Sequence, residues 1–233
     1  MKRFYRKVII DGAEGSWRVL LDGRAIKTAG GLPQIVPTRT LAEALGTEWA
    51  AQGEEIDPTA FVLRDLADYA IDVAGAERDR LVAELLTFGE TDTLCYRADP
   101  DEPLYRRQRE VWEPLLAEAE RHLEVRFERV SGVIHRPQRP DTLARLRALL
   151  TASDPFTLAA LQTLVSLAAS LVIGLAAIEP GADAELLWAA AELEEEWQAE
   201  LWGREDEAEH RRARRFAAFA AAIRFARLAA SEP

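Results

Sequence analysis

Between Pro155 and Ile178 the chain runs 24 residues without a charge, and no other stretch limits its fold so tightly. At about 1.5 Å rise per residue, a helix of this length could cross a bilayer. Gln162, Thr163, Ser166 and Ser170 dilute the run, acids flank it at Asp154 and Glu179, and no Lys/Arg cluster marks either end. A helix that is apolar all round is also what the centre of a helical domain requires. The segment is therefore expected as one buried core helix, without stable membrane insertion. Ser166, Ser170 and Gly174 recur every four residues as a small-residue stripe where another helix can lie close.

The surroundings fit that centre. In the first forty residues Lys7–Ile10, Trp17–Leu21 and Ala25–Thr28 read as strands. The turns between them, Asp11-Gly12-Ala13-Glu14-Gly15 and Asp22-Gly23, supply the positive φ values that hairpins need. Helical periodicity begins at Thr40, with Thr40 and Glu43 in a capping-box pattern and Leu41, Leu45 and Trp49 on one face. Further helices are expected from Asp57-Pro58, from Arg78, and over Pro103–Leu123, Pro140–Leu150, Ala182–Trp202 and Glu205–Ala230. Glu124–Ile134, with alternating Val125 and Phe127, reads as a short strand or an extended loop. The expected class is α+β: a small β-rich N-terminal domain over 1–57, followed by a larger α-helical C-terminal domain over 58–233.

Charge and composition remove several function classes. A net charge of -11 opposes an electrostatic grip on nucleic acid or anionic lipid, and suits a partner with a basic or mixed surface. Neither a Walker loop nor a G-x-G-x-x-G fingerprint occurs, so no nucleotide or other small-molecule substrate is expected. Cys95, the only cysteine, sits between Leu94 and Tyr96, where it reads as a small buried hydrophobe. With a single cysteine and no apolar signal core after Met1, a reducing compartment is expected, a bacterial cytoplasm or a mitochondrial matrix.

The most charged stretch is LEEEWQAELWG, Leu193–Gly203. Between Ala182 and Gly203 there are seven acids and no base. A carboxylate-bridged metal site would draw on Glu195, Glu196, Glu207 and His210, but Glu207–His210 is the only E-x-x-H pair, so a helical di-iron set is incomplete. Neither a metal nor another cofactor is expected. At about 100° per residue, Leu186, Ala190, Leu193, Trp197 and Leu201 form the inward stripe, and Trp188, Glu195 and Trp202 fall together on the opposite side. Acids without basic mates in their own helix repel one another. Aromatic side chains beside them are typical of protein contact surfaces. In the last helix Arg211, Arg212, Arg214 and Arg215 supply the missing base, and adjacent acids argue against an RNA surface.

Several separated stretches resemble one family: RFYRKV at Arg3–Val8, LDGRAIKT at Leu21–Thr28, LAEALGTEWAAQ at Leu41–Gln52 and IDP at Ile56–Pro58. TDTLCYRA at Thr91–Ala98, RQREVWEPLL at Arg107–Leu116 and LEEEWQAELWG follow in the same order. The sequence is similar to the ATP synthase assembly chaperones that bind the alpha subunit of the catalytic head. That resemblance implies a non-enzymatic protein that masks the interface of unassembled alpha subunit until a beta subunit replaces it. It also implies partner-binding roles for Glu195 and Glu196, with Trp202 and Gly203 closing the motif. Trp188 and Glu200 complete the expected binding set. Asp68-Tyr69 and Arg204 depart from the family pattern.

Overall fold

The computed structural model describes residues 1–13, 15–132 and 134–230. Glu14 of the first expected turn and Val133 of the expected strand region lie outside them. The architecture is α+β, with a small N-terminal sheet and otherwise helices. The chain gathers into two compact units: Met1–Arg78 with Asp154–Ala160 and the residues from Ala221 onward, and Asp79–Ser153 with Leu161–Ala220.

The first unit is built on an antiparallel sheet, β1 (Val8–Ala13), β2 (Ser16–Leu21) and β3 (Arg24–Ala25), in that order. Its register runs from Val8 opposite Leu21 to Ala13 opposite Ser16. Asp22 and Gly23 both have positive φ, as a two-residue hairpin turn demands, and the Asp22 carboxylate accepts the Lys7 N–H at 2.8 Å. Those amide bonds hold the Asp22 carboxyl below its ordinary range. Helix α1 (Arg39–Ala50) lies on the sheet, burying Leu41, Leu45 and Trp49 as their spacing predicts. Its cap is Thr38 rather than Thr40: the Thr38 hydroxyl accepts the Leu41 N–H at 3.1 Å. Gly46 is needed here, because a Cβ would stand 2.7 Å from Ile10 Cδ1.

Asp57-Pro58 opens a single 3₁₀ turn, and α2 (Val62–Tyr69) follows, running into a π-helical turn over Ala70–Ala74. Asp68 accepts the Ala29 N–H at 3.0 Å, and Asp72 the Gly30 N–H at 2.7 Å, so one helical face staples the loop after β3. The stacked rings of Phe156 and Phe225, 6.1 Å apart, belong to the same unit, as does the Thr38 hydroxyl bond to the Leu228 carbonyl.

The second unit contains α3 (Arg78–Glu90), β4 (Tyr96–Arg97), α4 (Pro103–Leu123), β5 (Val130–Ser131), α5 (Pro140–Ala152), most of α6 (Pro155–Ala168), and α7 (Leu171–Ile178). Among the described residues of 124–134 the regular structure is the two-residue β5, paired parallel to β4. Trp112, at the centre of α4, is fully buried and donates its indole N–H to the Ala190 carbonyl at 2.8 Å.

The charge-free segment is not one helix. It is α6 and α7, 14 and 8 residues long, broken where Ala169 takes a φ of 50° and Ser170 caps α7 through its bond from the Ile173 N–H. The break is set from a distant part of the chain. The Asp92 carboxylate accepts the Ser170 hydroxyl at 2.8 Å and the Val172 N–H at 2.9 Å, and the Ala169 carbonyl accepts the Thr93 hydroxyl at 2.8 Å. The expected small-residue stripe is dissolved in consequence: Ser166 is exposed and Ser170 is a cap. Gly174 alone gives the close approach, since a Cβ there would meet Val165 Cγ2 at 2.4 Å. Among the described residues no helix is long and apolar enough to cross a membrane.

Candidate functional site

The acidic stretch is also two helices, α8 (Ala184–Ala191) and α9 (Leu193–Trp202), packed in the second unit with the part of α10 (Asp206–Ala229) that runs to Ala220. They meet at Glu192, whose φ of -94° and ψ of 11° leave the helical well. Glu192 is buried, with its carboxylate 2.9 Å from Arg215 and 3.6 Å from Arg212. Burial nonetheless holds its carboxyl above the ordinary range, helped by the charges of Glu195 and Glu196.

This break resets the helical phase, so the expected face divides. Trp188 does not join Glu195 and Trp202. It is 5% exposed, with its ring 5.3 Å from Phe219 and 6.1 Å from Phe216, and the Arg215 guanidinium lies over it at 5.3 Å. Trp188 is a packing residue. Trp202 is 83% exposed, its indole N–H donating to Gln198 at 3.0 Å. The expected inward stripe holds for Ala190 and Leu193, which are buried, but Leu186 and Leu201 are 56% and 58% exposed.

The acids divide as well, according to where their cations come from. Glu194 accepts from Gln108 of α4 at 2.6 Å, and burial raises its carboxyl above the ordinary range. Glu196 meets Arg212 of α10 at 2.6 Å and also pairs with Arg204. Glu200 pairs with Arg107 of α4 at 2.6 Å, and the same guanidinium lies 5.7 Å from the Trp197 ring. Glu195 is exposed and, among the described residues, has no hydrogen bond or ion pair. Of the expected contact residues, then, Glu195 presents a free carboxylate and Trp202, two turns on in α9, an exposed ring, while Glu196 and Glu200 are engaged in ion pairs and Trp188 is buried.

Glu195 lines a groove of about 710 Å³ with Glu194, Asp99, Glu102, Leu104 and Tyr96. The only base in its lining, Arg97, is buried and bound to Glu113 at 2.7 Å. The groove therefore presents carboxylates without compensating charge around an apolar floor, an arrangement that attracts a cationic, partly apolar segment. Asp99, Glu102 and Leu104 were not among the sequence candidates. They stand about ninety residues before α9, between the TDTLCYRA motif that ends at Ala98 and the RQREVWEPLL motif that begins at Arg107.

Groups suited to covalent chemistry are spent. Cys95 is buried and burial pushes its thiol far up, away from thiolate reactivity. His210 donates Nδ1–H to the Asp206 carbonyl at 2.7 Å, and His135 is bonded to the Tyr96 hydroxyl at 2.8 Å. Among the described residues no three His, Cys, Asp or Glu side chains gather as metal ligands would, and Glu195, Glu196, Glu207 and His210 do not come together.

A sequence model described as ATP12 chaperone protein matches residues 2–120. The crystal structure of Atp12 from Paracoccus denitrificans is 43% identical and superposes with a TM-score of 0.93, covering 98% of each chain. The Atu1473 protein of Agrobacterium tumefaciens is 37% identical, with a TM-score of 0.91 over 97% of this chain and 85% of that one. The mitochondrial protein atp12 of Schizosaccharomyces pombe is 26% identical over 87% of this chain and 74% of its own length.

Proposed function

The chain belongs to the ATP12 chaperone family, and on that premise we propose that it assists assembly of ATP synthase by holding the unassembled alpha subunit through the acidic face of α9. The relatives are named as chaperones, in keeping with a holding role rather than catalysis. One observation carries the residue assignment. In a helix where Glu194, Glu196 and Glu200 all have internal partners, Glu195 has none and opens on a groove of like charge. Burial raises the carboxyls of Glu192 and Glu194, and the unneutralised Glu195 charge adds to that rise, a cost to the isolated fold. A basic partner surface recovers it.

The physical demand on such a chaperone is specific. A subunit interface left uncovered is an apolar patch that aggregates. Its cover must bind firmly and still yield to the next subunit, here the beta subunit. A carboxylate groove lined by Tyr96 and Leu104, on a helix that also exposes Leu201 and Trp202, meets that demand, because charge speeds encounter and modest apolar area keeps release possible. Higher identity to the Paracoccus and Agrobacterium chains than to the S. pombe protein supports a bacterial cytoplasmic setting.

Co-expression with the cognate alpha subunit tests the reading. The expected result is alpha subunit recovered in the supernatant and eluting with this protein in size-exclusion chromatography. Alpha subunit that aggregates equally with and without it refutes the proposal. Alpha subunit that is held equally well by the Glu195→Lys variant removes the assignment to α9 alone.

A further inference from the structure

The first 28 residues carry seven bases and three acids, the reverse of a chain whose net charge is -11. Part of that base surrounds a second groove, of about 690 Å³, in the first unit. Its lining includes Phe4, Tyr5, Trp49, Arg24, Lys27 and Arg64. Four observations make it more than a surface depression.

The acids in its lining are consumed internally: Asp22 accepts the Arg6 and Lys7 amides, and Asp68 accepts Gln34 Nε2 and the Ala29 N–H. Two of its cations are not. Arg24 and Lys27 are exposed and, among the described residues, have no side-chain partner, whereas Arg64 pairs with Asp65 at 2.7 Å. Phe4 is 64% exposed, an aromatic ring left in water beside those cations. Finally, the Trp49 ring, 8% exposed, forms part of the groove wall and lies against the Tyr5 ring at 5.5 Å.

We infer that this groove is a second docking site, which takes a protein segment bearing carboxylates next to an aromatic or large aliphatic side chain. The apolar side chain packs against Phe4 and Tyr5. The carboxylates meet Arg24 and Lys27. Two free cations are too few for a phosphate backbone, whose binding grows with each phosphate neutralised, so the groove fits an acidic peptide better than a nucleic acid. Its charge is opposite to that of the Glu195 groove, so the two sites select different segments and fail independently.

The probe is a blocked octapeptide with two phenylalanines among four aspartates, compared with a matched peptide carrying lysines for the aspartates. Indole N–H resonances of the full chain are followed by NMR, with Trp49 assigned from its contacts with the Tyr5 and Phe61 rings, 5.5 and 4.5 Å away. The acidic peptide should move the Trp49 resonance and the lysine peptide should not. Arg24→Glu with Lys27→Glu should weaken binding by about tenfold or more, while Glu195→Lys leaves it unchanged. A stationary Trp49 resonance, or equal binding to the charge-reversed variant, overturns the inference. So does a single-stranded oligonucleotide that displaces the peptide at equal concentration and salt.

Discussion

Asp92 offers the sharpest test of the forces that shape the centre of this fold. Its carboxylate is wholly buried and has no cation beside it. One oxygen accepts from the Ser170 hydroxyl at 2.8 Å and the Leu94 N–H at 3.1 Å, and the other from the Val172 N–H at 2.9 Å. Desolvation outweighs these bonds and pushes the carboxyl from 3.8 up to about 6. The folded chain therefore holds a proton that the unfolded chain has already released, so stability falls as pH rises through that window. The loss totals roughly 3 kcal/mol, of which about 2 kcal/mol falls above about pH 4.5.

Asp92→Asn removes the titration and keeps the shape. It also turns an amide N–H₂ toward the Val172 N–H, which costs about 1–3 kcal/mol at every pH. Set against the parent's own loss, that cost leaves the variant level with the parent or up to about 2 kcal/mol weaker at about pH 4.5, and level with it or up to about 2 kcal/mol stronger at about pH 7.5, a change of about 2 kcal/mol. Urea unfolding followed by circular dichroism at both values, with the slope of the transition checked for constancy, measures the gap. Other carboxyls titrate in both proteins and cancel in the difference. A gap that stays constant with pH refutes the reasoning, and one that widens as pH rises reverses its sign.

Further perturbations separate contact from structure. Glu195→Lys should leave unfolding free energy within about 0.5 kcal/mol while cutting alpha-subunit capture by about tenfold or more. Glu196→Ala, which takes one carboxylate partner from each of Arg204 and Arg212 in a partly exposed network, should cost about 1 kcal/mol in urea melts, less in high salt. Trp188→Ala should cost about 3–5 kcal/mol by opening a cavity against Phe216 and Phe219, whereas Trp202→Ala should leave the melt unchanged and lower only capture. Gly174→Ala drives a methyl against Val165 and should lose about 1–3 kcal/mol by thermal unfolding.

Local rules were legible wherever the deciding partner lies within a turn or two. The Asp22-Gly23 hairpin, the Leu41–Leu45–Trp49 face and the inward placement of Leu193 all follow from neighbours in sequence. The acid excess of LEEEWQAELWG was visible in the same way. The resemblance motifs, spread along the chain, pointed to the family.

Sequence periodicity assumes that a helix keeps its phase, and two residues decided otherwise. At Ala169 the helix ends because Asp92, nearly eighty residues earlier, supplies acceptors that a continuing helix could not use. At Glu192 a single altered ψ rotates α9 relative to α8, so Trp188 packs inward while Trp202 stays in water. The same distance effect sorts the acids. Their cations come from Arg107 on α4 and Arg212 on α10, so only the folded chain reveals which carboxylate is left over. The sequence by itself determined that this helix would be acidic and aromatic. Tertiary structure determined that Glu195 is the charge without a partner, because ion pairs form between residues close in space and periodicity records only those close in the chain.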